Sequence, residues 1–169
     1  MDETTSFKSE ATPDLVPLLA GRKNLALRGH ATQSTSSEYP QFYASLANDG
    51  NRNTNIYAKS CSTTDKQFYP WWRVDLLDEY LIGRVVITNR GDCCSGRING
   101  AEIRIGNSLD NNGDNNPRCA VISLLPSLSF TYTYNMTGRY VNVVIPAKDA
   151  ILTLCEVKVY RAPDNQTRA

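Results

Sequence analysis

The sequence has a single histidine, no Cys-x-x-Cys pair and no long apolar run. Without such ligands a structural zinc site is disfavoured, and no Cys-His or Ser-His pairing is visible for nucleophilic catalysis. No glycine-rich turn leads from a strand into a helix, so nucleotide binding is disfavoured too. The apolar stretch Leu15–Ala20 is far shorter than the roughly 20 residues of a membrane-spanning helix. We therefore predict a soluble protein that is not an enzyme and does not insert into membranes.

The net charge of the chain is small. The 18 Lys and Arg residues nearly balance the 17 Asp and Glu residues, which leaves a net charge of +1. This balance offers no general attraction to nucleic acid, so charge must act locally.

Short segments rich in β-branched and aromatic residues, separated by Gly, Asn, Asp and Pro, occupy most of the chain. No window of helical length has a strong 3.6-residue period. The pattern predicts an all-β sandwich of short antiparallel strands, with function on the loops. Residues 1–23 are predicted to be a polar tail or linker, residues 24–161 one domain, and residues 162–169 a C-terminal tail. The predicted strands are Leu81–Asn89, Gly100–Gly106, Arg118–Leu125, Leu128–Tyr134, Arg139–Ile145 and Ile151–Tyr160.

The five cysteines indicate an oxidising compartment and disulfide bonds, with one thiol left unpaired or bonded to another molecule. Two potential N-glycosylation sequons, at Asn135 and Asn165, agree with secretion. We expect a secreted, extracellular protein.

The segment RGDCCSGR crowds two arginines, an aspartate and two adjacent cysteines into eight residues, Arg90 to Arg97. A disulfide between Cys93 and Cys94 would form a rigid apolar surface beside two planar guanidinium groups, an arrangement that suits a sugar. Asp92 could hold one guanidinium by a bidentate pair. Alternatively, the arginines are solvated loop residues and the cysteines bond elsewhere; an integrin-binding use of the RGD tripeptide is a further alternative.

The sequence resembles the F-type lectins, a family of fucose-binding domains. The resemblance covers roughly four-fifths of the chain and is carried by these segments: NLALRGHATQS, DGNRN, PWWRVDL, NRGDCCSGRINGAEIRIGNS, NPRCAVIS and LTLCEVKVYR. It implies a β-jellyroll sandwich, similar to discoidin domains, that binds fucosylated glycans and often forms oligomers. It leaves open whether the protein serves innate immunity or another form of cell recognition.

The resemblance implies roles for individual residues of the arginine segment. Arg90 and Arg97 match the arginines that donate hydrogen bonds to the sugar, and Asp92 matches the residue that braces an arginine. Cys93 and Cys94 match a disulfide that lies against the sugar. The methyl group of fucose is expected to enter an apolar pocket at Ile56 and Tyr57. Thr63 stands where the family motif has a histidine, so affinity or specificity is expected to differ.

The resemblance also implies a structural Ca²⁺ site near the sugar. Its expected ligands are the carboxylates of Asp49 and Glu156, the hydroxyl and backbone of Ser60, and the backbone carbonyls of Leu46, Asn51 and Cys155; such hard oxygen donors suit Ca²⁺.

The matching cysteines imply pairs Cys61–Cys155 and Cys93–Cys94, with Cys119 free. As an alternative function from another class, the same scaffold could be a protein-interaction or gamete-recognition module with weakened sugar binding.

Overall fold

A computed structural model describes residues 23–35, 42–123 and 127–163. The two predicted tails lie almost wholly outside these residues. The described chain is built from β-strands and single turns of 3₁₀ helix, and none of its helices is long and apolar enough to cross a membrane. The ten strands are β1 (His30–Gln33), β2 (Ser62–Thr63), β3 (Gln67–Phe68), β4 (Trp71–Thr88), β5 (Glu102–Gly106), β6 (Arg118–Val121), β7 (Ser129–Val144), β8 (Asp149–Ala150), β9 (Thr153–Leu154) and β10 (Glu156–Arg161). This confirms the all-β prediction.

The two longest strands, β4 and β7, organise the main antiparallel sheet. Its order is β1-β4-β7-β5-β6, and β10 pairs with the second half of β4. The register between β4 and β7 shifts between Asp75 and Tyr80 and again between Ile82 and Arg84. Bulges of this kind bend strands, so the first half of β4 lies beside β1 and the second half beside β10.

One hydrophobic cluster joins buried side chains from both halves of the long strands. Trp72 and Val74 come from the first half of β4, and Val85 and Ile87 come from the second half. Within each half these positions alternate with more exposed neighbours, as expected for a strand with one buried face. The indole Nε1 of Trp72 donates to the carbonyl of Ala44, 2.9 Å away, so its burial leaves no unpaired donor.

Several predicted strands are correct in type but not in extent. The predicted strands Leu128–Tyr134 and Arg139–Ile145 belong to the single strand β7, because the intervening residues continue to pair with β4. The predicted strand Ile151–Tyr160 is instead two strands, β9 and β10, which are interrupted at the disulfide-bonded Cys155. Residues 124 and 125, the end of the predicted strand Arg118–Leu125, lie outside the described residues.

Two small antiparallel ribbons lie beside the segment that carries Arg90 and Arg97. Strand β2 pairs with β9, and β3 pairs with β8. Both ribbons bring residues from the first half of the chain beside residues 149–154 near its end. Residues at these ribbons line the same hollows as Arg90 and Arg97. The ribbons therefore flank the segment that carries the two arginines.

Candidate functional site

Residues 89–97, named here the arginine loop, leave the end of β4. The guanidinium of Arg90 donates two parallel hydrogen bonds to the carboxylate of Asp92, at 3.0 and 2.9 Å. The side chains are 11% and 19% exposed, respectively. This pairing raises the pKa of Arg90, and it lowers the pKa of Asp92 to about 2. Both groups are therefore charged at neutral pH, and the predicted bracing of an arginine by Asp92 is observed.

Close backbone packing fixes the arginine loop against residues 54–56. The amide of Gly91 donates to the carbonyl of Thr54 at 2.9 Å, and the amide of Ile56 donates to Asp92 Oδ1 at 3.0 Å. A Cβ atom at Gly91 would lie 2.8 Å from Thr54 Oγ1 and 2.7 Å from Leu128 Cδ1, so a larger residue there would require these side chains to shift. The RGD tripeptide thus has a structural use: its two charges bind each other and are not displayed separately.

The loop is closed at its end by Asn89, whose Nδ2 donates to the carbonyl of Ser95 at 2.9 Å. Cys93 and Cys94 form the predicted disulfide. Cys94 adopts a left-handed backbone conformation, with φ 62°, directly before the 3₁₀ turn Ser95–Ile98. That turn carries Arg97, which is exposed and has no carboxylate within ion-pair distance among the described residues.

Both arginines line one shallow hollow of about 310 Å³, named here the arginine hollow. The remaining lining residues are Phe42, Ile56, Tyr57, Thr63, Thr64, Asp65, Lys66 and Ile151. The hollow thus combines guanidinium donors with apolar and aromatic surface. Cys93 and Cys94 are not among these lining residues, so the contact of their disulfide with a sugar stays a prediction.

The residues expected near the fucose methyl group differ in exposure. Ile56 is 5% exposed and packs against the disulfide-bonded Cys61 and Cys155, whereas Tyr57 is 82% exposed. Thr63 also reaches the hollow, and its hydroxyl lies 3.2 Å from the hydroxyl of Thr153. A threonine hydroxyl at the position of the family histidine is therefore already hydrogen-bonded within the protein.

Residues 49–60, named here the asparagine loop, connect this hollow to a second site. Each of four side chains accepts a hydrogen bond from the backbone amide two residues later, at 2.9 to 3.1 Å. The acceptors are Asp49, Asn51, Asn53 and Asn55, and the last donor is the amide of Tyr57. Such consecutive Asx turns order a loop whose described regular structure is the single 3₁₀ turn Ile56–Ala58.

Glu156, at the start of β10, is the most unusual acidic residue of the described chain. It is fully buried, and neither carboxylate oxygen has a hydrogen-bond partner. Burial and the nearby charge of Asp49 raise its pKa to about 8. The backbone amides of Gly50 and Val157 oppose this rise in pKa, but neither of them forms a hydrogen bond with the carboxylate. A buried carboxylate without partners is costly, so the group either keeps its proton, as the raised pKa indicates, or needs a cation beside it.

The disulfide between Cys61 and Cys155 is formed as predicted, and it joins two segments that carry expected metal ligands. It places Ser60, the residue before Cys61, near Glu156, the residue after Cys155. Ser60 is buried, and its hydroxyl donates to the carbonyls of Asn53 and Asn55, at 2.6 and 3.0 Å. Its oxygen lone pairs remain available to a cation.

The backbone donors expected at this site come from the same region. Leu46 belongs to the turn Ala44–Ala47 that leads into the asparagine loop, Asn51 lies within the loop, and Cys155 precedes Glu156. In the described part of the chain, no three His, Cys, Asp or Glu side chains are grouped so that they could hold a metal ion. A cation here would take most of its ligands from carbonyl, hydroxyl and water oxygens, which fits Ca²⁺ better than zinc.

Cys119 is a free, half-buried thiol, as expected, and burial raises its pKa. Sequence reasoning missed Asn89, Thr54 and the hollow-lining residues Phe42, Asp65 and Lys66. Asn89 and Thr54 act by closing and packing the arginine loop, and no local sequence pattern marks such roles.

Comparisons with known proteins agree with this architecture. Residues 46–143 match the model of the NedA-like, galactose-binding domain family. Fucolectin-4 of Anguilla japonica is 52% identical over 143 residues, which cover 81% of this chain and 79% of that protein.

Two solved structures extend this similarity to the fold. An F-lectin (fucolectin) from the serum of striped bass, Morone saxatilis, is 51% identical with a TM-score of 0.80, covering 85% of this chain and 51% of that chain. This chain thus spans about half the length of that lectin. The lectin domain of lectinolysin, solved with Lewis B antigen, is 27% identical with a TM-score of 0.72, covering 83% and 98% of the two chains. The chain therefore belongs to the F-type lectin (fucolectin) family.

Proposed function

We propose that this protein is a secreted lectin that binds terminal L-fucose on glycans without chemical conversion. The observation that carries the proposal is the arginine hollow, in which Arg90 and Arg97 face apolar surface from Ile56 and Tyr57. Guanidinium groups donate hydrogen bonds and accept none, so they suit the ring oxygen and hydroxyl oxygens of a sugar. The fucolectin relatives and the Lewis B complex support fucosylated glycans as the partners.

Binding would depend on an arginine that is already oriented. The bidentate pair with Asp92 uses one edge of the Arg90 guanidinium and leaves its other N–H groups for a ligand. A preformed donor loses little conformational entropy when it binds. The hydroxyl contacts supply most of the discrimination, because burial of one methyl group contributes only about 1 kcal/mol.

We further propose that Ca²⁺ binds beside this hollow and stabilises it. Asp49 and Glu156 would supply carboxylate ligands, Ser60 its hydroxyl, and Leu46, Asn51 and Cys155 backbone carbonyls. When bound, the ion supplies positive charge to two carboxylates that repel each other. The buried, unpaired carboxylate of Glu156 supports this assignment. The asparagine loop then carries the effect to Ile56, whose amide binds Asp92.

A glycan array tests the proposal. We expect the protein, with Ca²⁺ present, to bind glycans that end in fucose and to ignore matched glycans without it. An array on which the folded protein binds no fucosylated glycan would overturn the proposal and would favour a protein-interaction module on the same scaffold. Sedimentation of the same sample would test whether it forms the homo-oligomer suggested by the family resemblance.

A further inference from the structure

A second hollow, named here the lysine hollow, adjoins the arginine hollow. It has a volume of about 340 Å³, and Lys66, Arg97 and Ile151 line both hollows. The wall is completed by Gly96, Lys148, Asp149 and Ala150. The two hollows are therefore neighbours that share part of their walls.

The ribbon of β3 and β8 holds the two lysines at this hollow. Gln67 pairs with Ala150 and Phe68 pairs with Asp149, so Lys66 precedes one strand and Lys148 precedes the other. Lys148 Nζ also donates to the carbonyl of Asn99, 3.2 Å away, on the chain that follows the arginine loop. The position of the second lysine is thus tied to the segment that carries Arg97.

The lysine hollow concentrates positive charge in a chain that is nearly neutral. Three cationic side chains line it, Lys66, Arg97 and Lys148, against the single carboxylate of Asp149. In the described ranges of the chain, none of the three cations has a carboxylate within ion-pair distance. Asp65 lines only the neighbouring arginine hollow. The lysine hollow therefore has cationic groups available for an anion.

We propose that the lysine hollow binds an anionic substituent, a sulfate ester or a carboxylate, on a glycan whose fucose occupies the arginine hollow. This inference rests on the proposed function, because fucose must first position the rest of the glycan. Lys66 and Lys148 supply ammonium donors and Arg97 a guanidinium, and all three form charge-assisted hydrogen bonds with such oxygens. The preferred ligands are then sulfated or sialylated fucosyl glycans.

Three soluble glycans test the inference by calorimetric titration in Ca²⁺ at low salt: Lewis x trisaccharide, its form sulfated at O6 of the N-acetylglucosamine, and its sialylated form. We expect at least one anionic form to bind about tenfold more tightly than the neutral form, the sum expected for two partly exposed ion pairs. High salt should remove most of this gain, because exposed charges are screened. The sulfated and sialylated arms show which anion the hollow accepts.

Variants identify the residues responsible. Lys148→Ala, at the lysine that lines only the lysine hollow, should reduce the preference to about threefold, as expected for the loss of one of two partly exposed ion pairs, and keep the affinity for the neutral trisaccharide, which also shows that the variant is folded. Lys148→Arg should keep the preference, and Lys23→Ala, at a lysine outside the hollow, should behave as wild type. Equal binding of neutral and anionic forms by wild type, or a preference that is unchanged in Lys148→Ala, would overturn the inference while the proposed function stands. If no form binds although free L-fucose does, the inference fails alone; if free L-fucose does not bind either, the proposed function fails too.

Discussion

The arginine loop and the asparagine loop lie side by side, but their charges are satisfied in opposite ways. In the arginine loop, Arg90 and Asp92 bind each other in a bidentate pair. In the region of the asparagine loop, Glu156 is buried with both oxygens unpaired beside the like charge of Asp49. The first arrangement is complete in the protein alone, whereas the second leaves a buried carboxyl group without a partner. The proposed sugar site thus lies beside a region whose charges the described residues do not balance.

The largest expected effect is on the free energy of unfolding, and it differs between the two disulfides. Cys61–Cys155 spans 94 residues, so in the chain-entropy model its removal by Cys61→Ala/Cys155→Ala costs about 4 to 5 kcal/mol of unfolding free energy. Cys93–Cys94 joins adjacent residues and closes no long loop, so Cys93→Ala/Cys94→Ala should cost much less. Urea unfolding of both variants measures the difference. Equal losses would show that the vicinal disulfide also supports the fold.

Calcium removal should act on the asparagine loop more than on the arginine loop. At a concentration of 100 times its Kd, a ligand adds about 2.7 kcal/mol to stability, and chelation should therefore lower the Tm by about 5 to 10 °C. Glu156→Gln should abolish this response, because an amide replaces the buried charge. It should also make the chelated protein more stable than chelated wild type at neutral pH.

Differential scanning fluorimetry with and without chelator checks this prediction, with the exposed Asp110→Asn as the matched control. A wild-type Tm that is unchanged after bound metal has been removed would rule out the site.

The two loops should also differ in their response to pH. The pKa of metal-free Glu156 is raised to about 8 from the ordinary glutamate value of 4.5. Its contribution to the stability of the metal-free fold is therefore complete below about 4.5 and is lost as the pH rises through about 8. Calcium must displace this proton, so calcium affinity should fall about tenfold for each pH unit below 8.

Asp92 behaves in the opposite sense, since its folded pKa is lowered to about 2. Its stabilising pair with Arg90 is present above its ordinary pKa and is lost only as the pH falls through about 2. Calcium titrations at pH 5.5, 6.5 and 7.5 should therefore show weakening affinity toward acid while the arginine pair stays intact. A calcium affinity independent of pH would exclude Glu156 as a ligand.

The smallest expected effect concerns Thr63, at the edge of the arginine hollow. Thr63→His restores the family histidine and breaks the contact with Thr153, so fucose affinity should change by about 0.5 to 1.5 kcal/mol, the range for one net hydrogen bond. We expect tighter binding, measured by L-fucose titration at fixed calcium. Thr153→Ala is the control that removes the same contact without adding an imidazole.

The sequence was sufficient to predict the all-β class, because short apolar segments alternate with turn residues throughout. It did not predict that β4 and β7 are continuous across their bends, since Gly138 and Asp78 resemble ends of strands in a local pattern. Family motifs located the arginine loop and both disulfides.

The environment of Glu156 illustrates what local patterns cannot supply. Its electrostatic environment includes Asp49 and Gly50, which lie more than 100 positions earlier in the chain. For the same reason the lysine hollow was not predicted, because Lys66 and Lys148 meet only through the pairing of β3 with β8.

A titration of wild type, Arg97→Ala and Arg97→Lys with free L-fucose in saturating calcium tests whether the arginine hollow binds fucose. Wild type should bind, and Arg97→Ala should weaken binding by about 1.5 to 3 kcal/mol, the range for hydrogen bonds to charged groups, with an unchanged Tm because Arg97 is exposed. Arg97→Lys should not restore the affinity, since an ammonium lacks the planar fork of donors. Equal binding by wild type and Arg97→Ala would show that the sugar binds elsewhere.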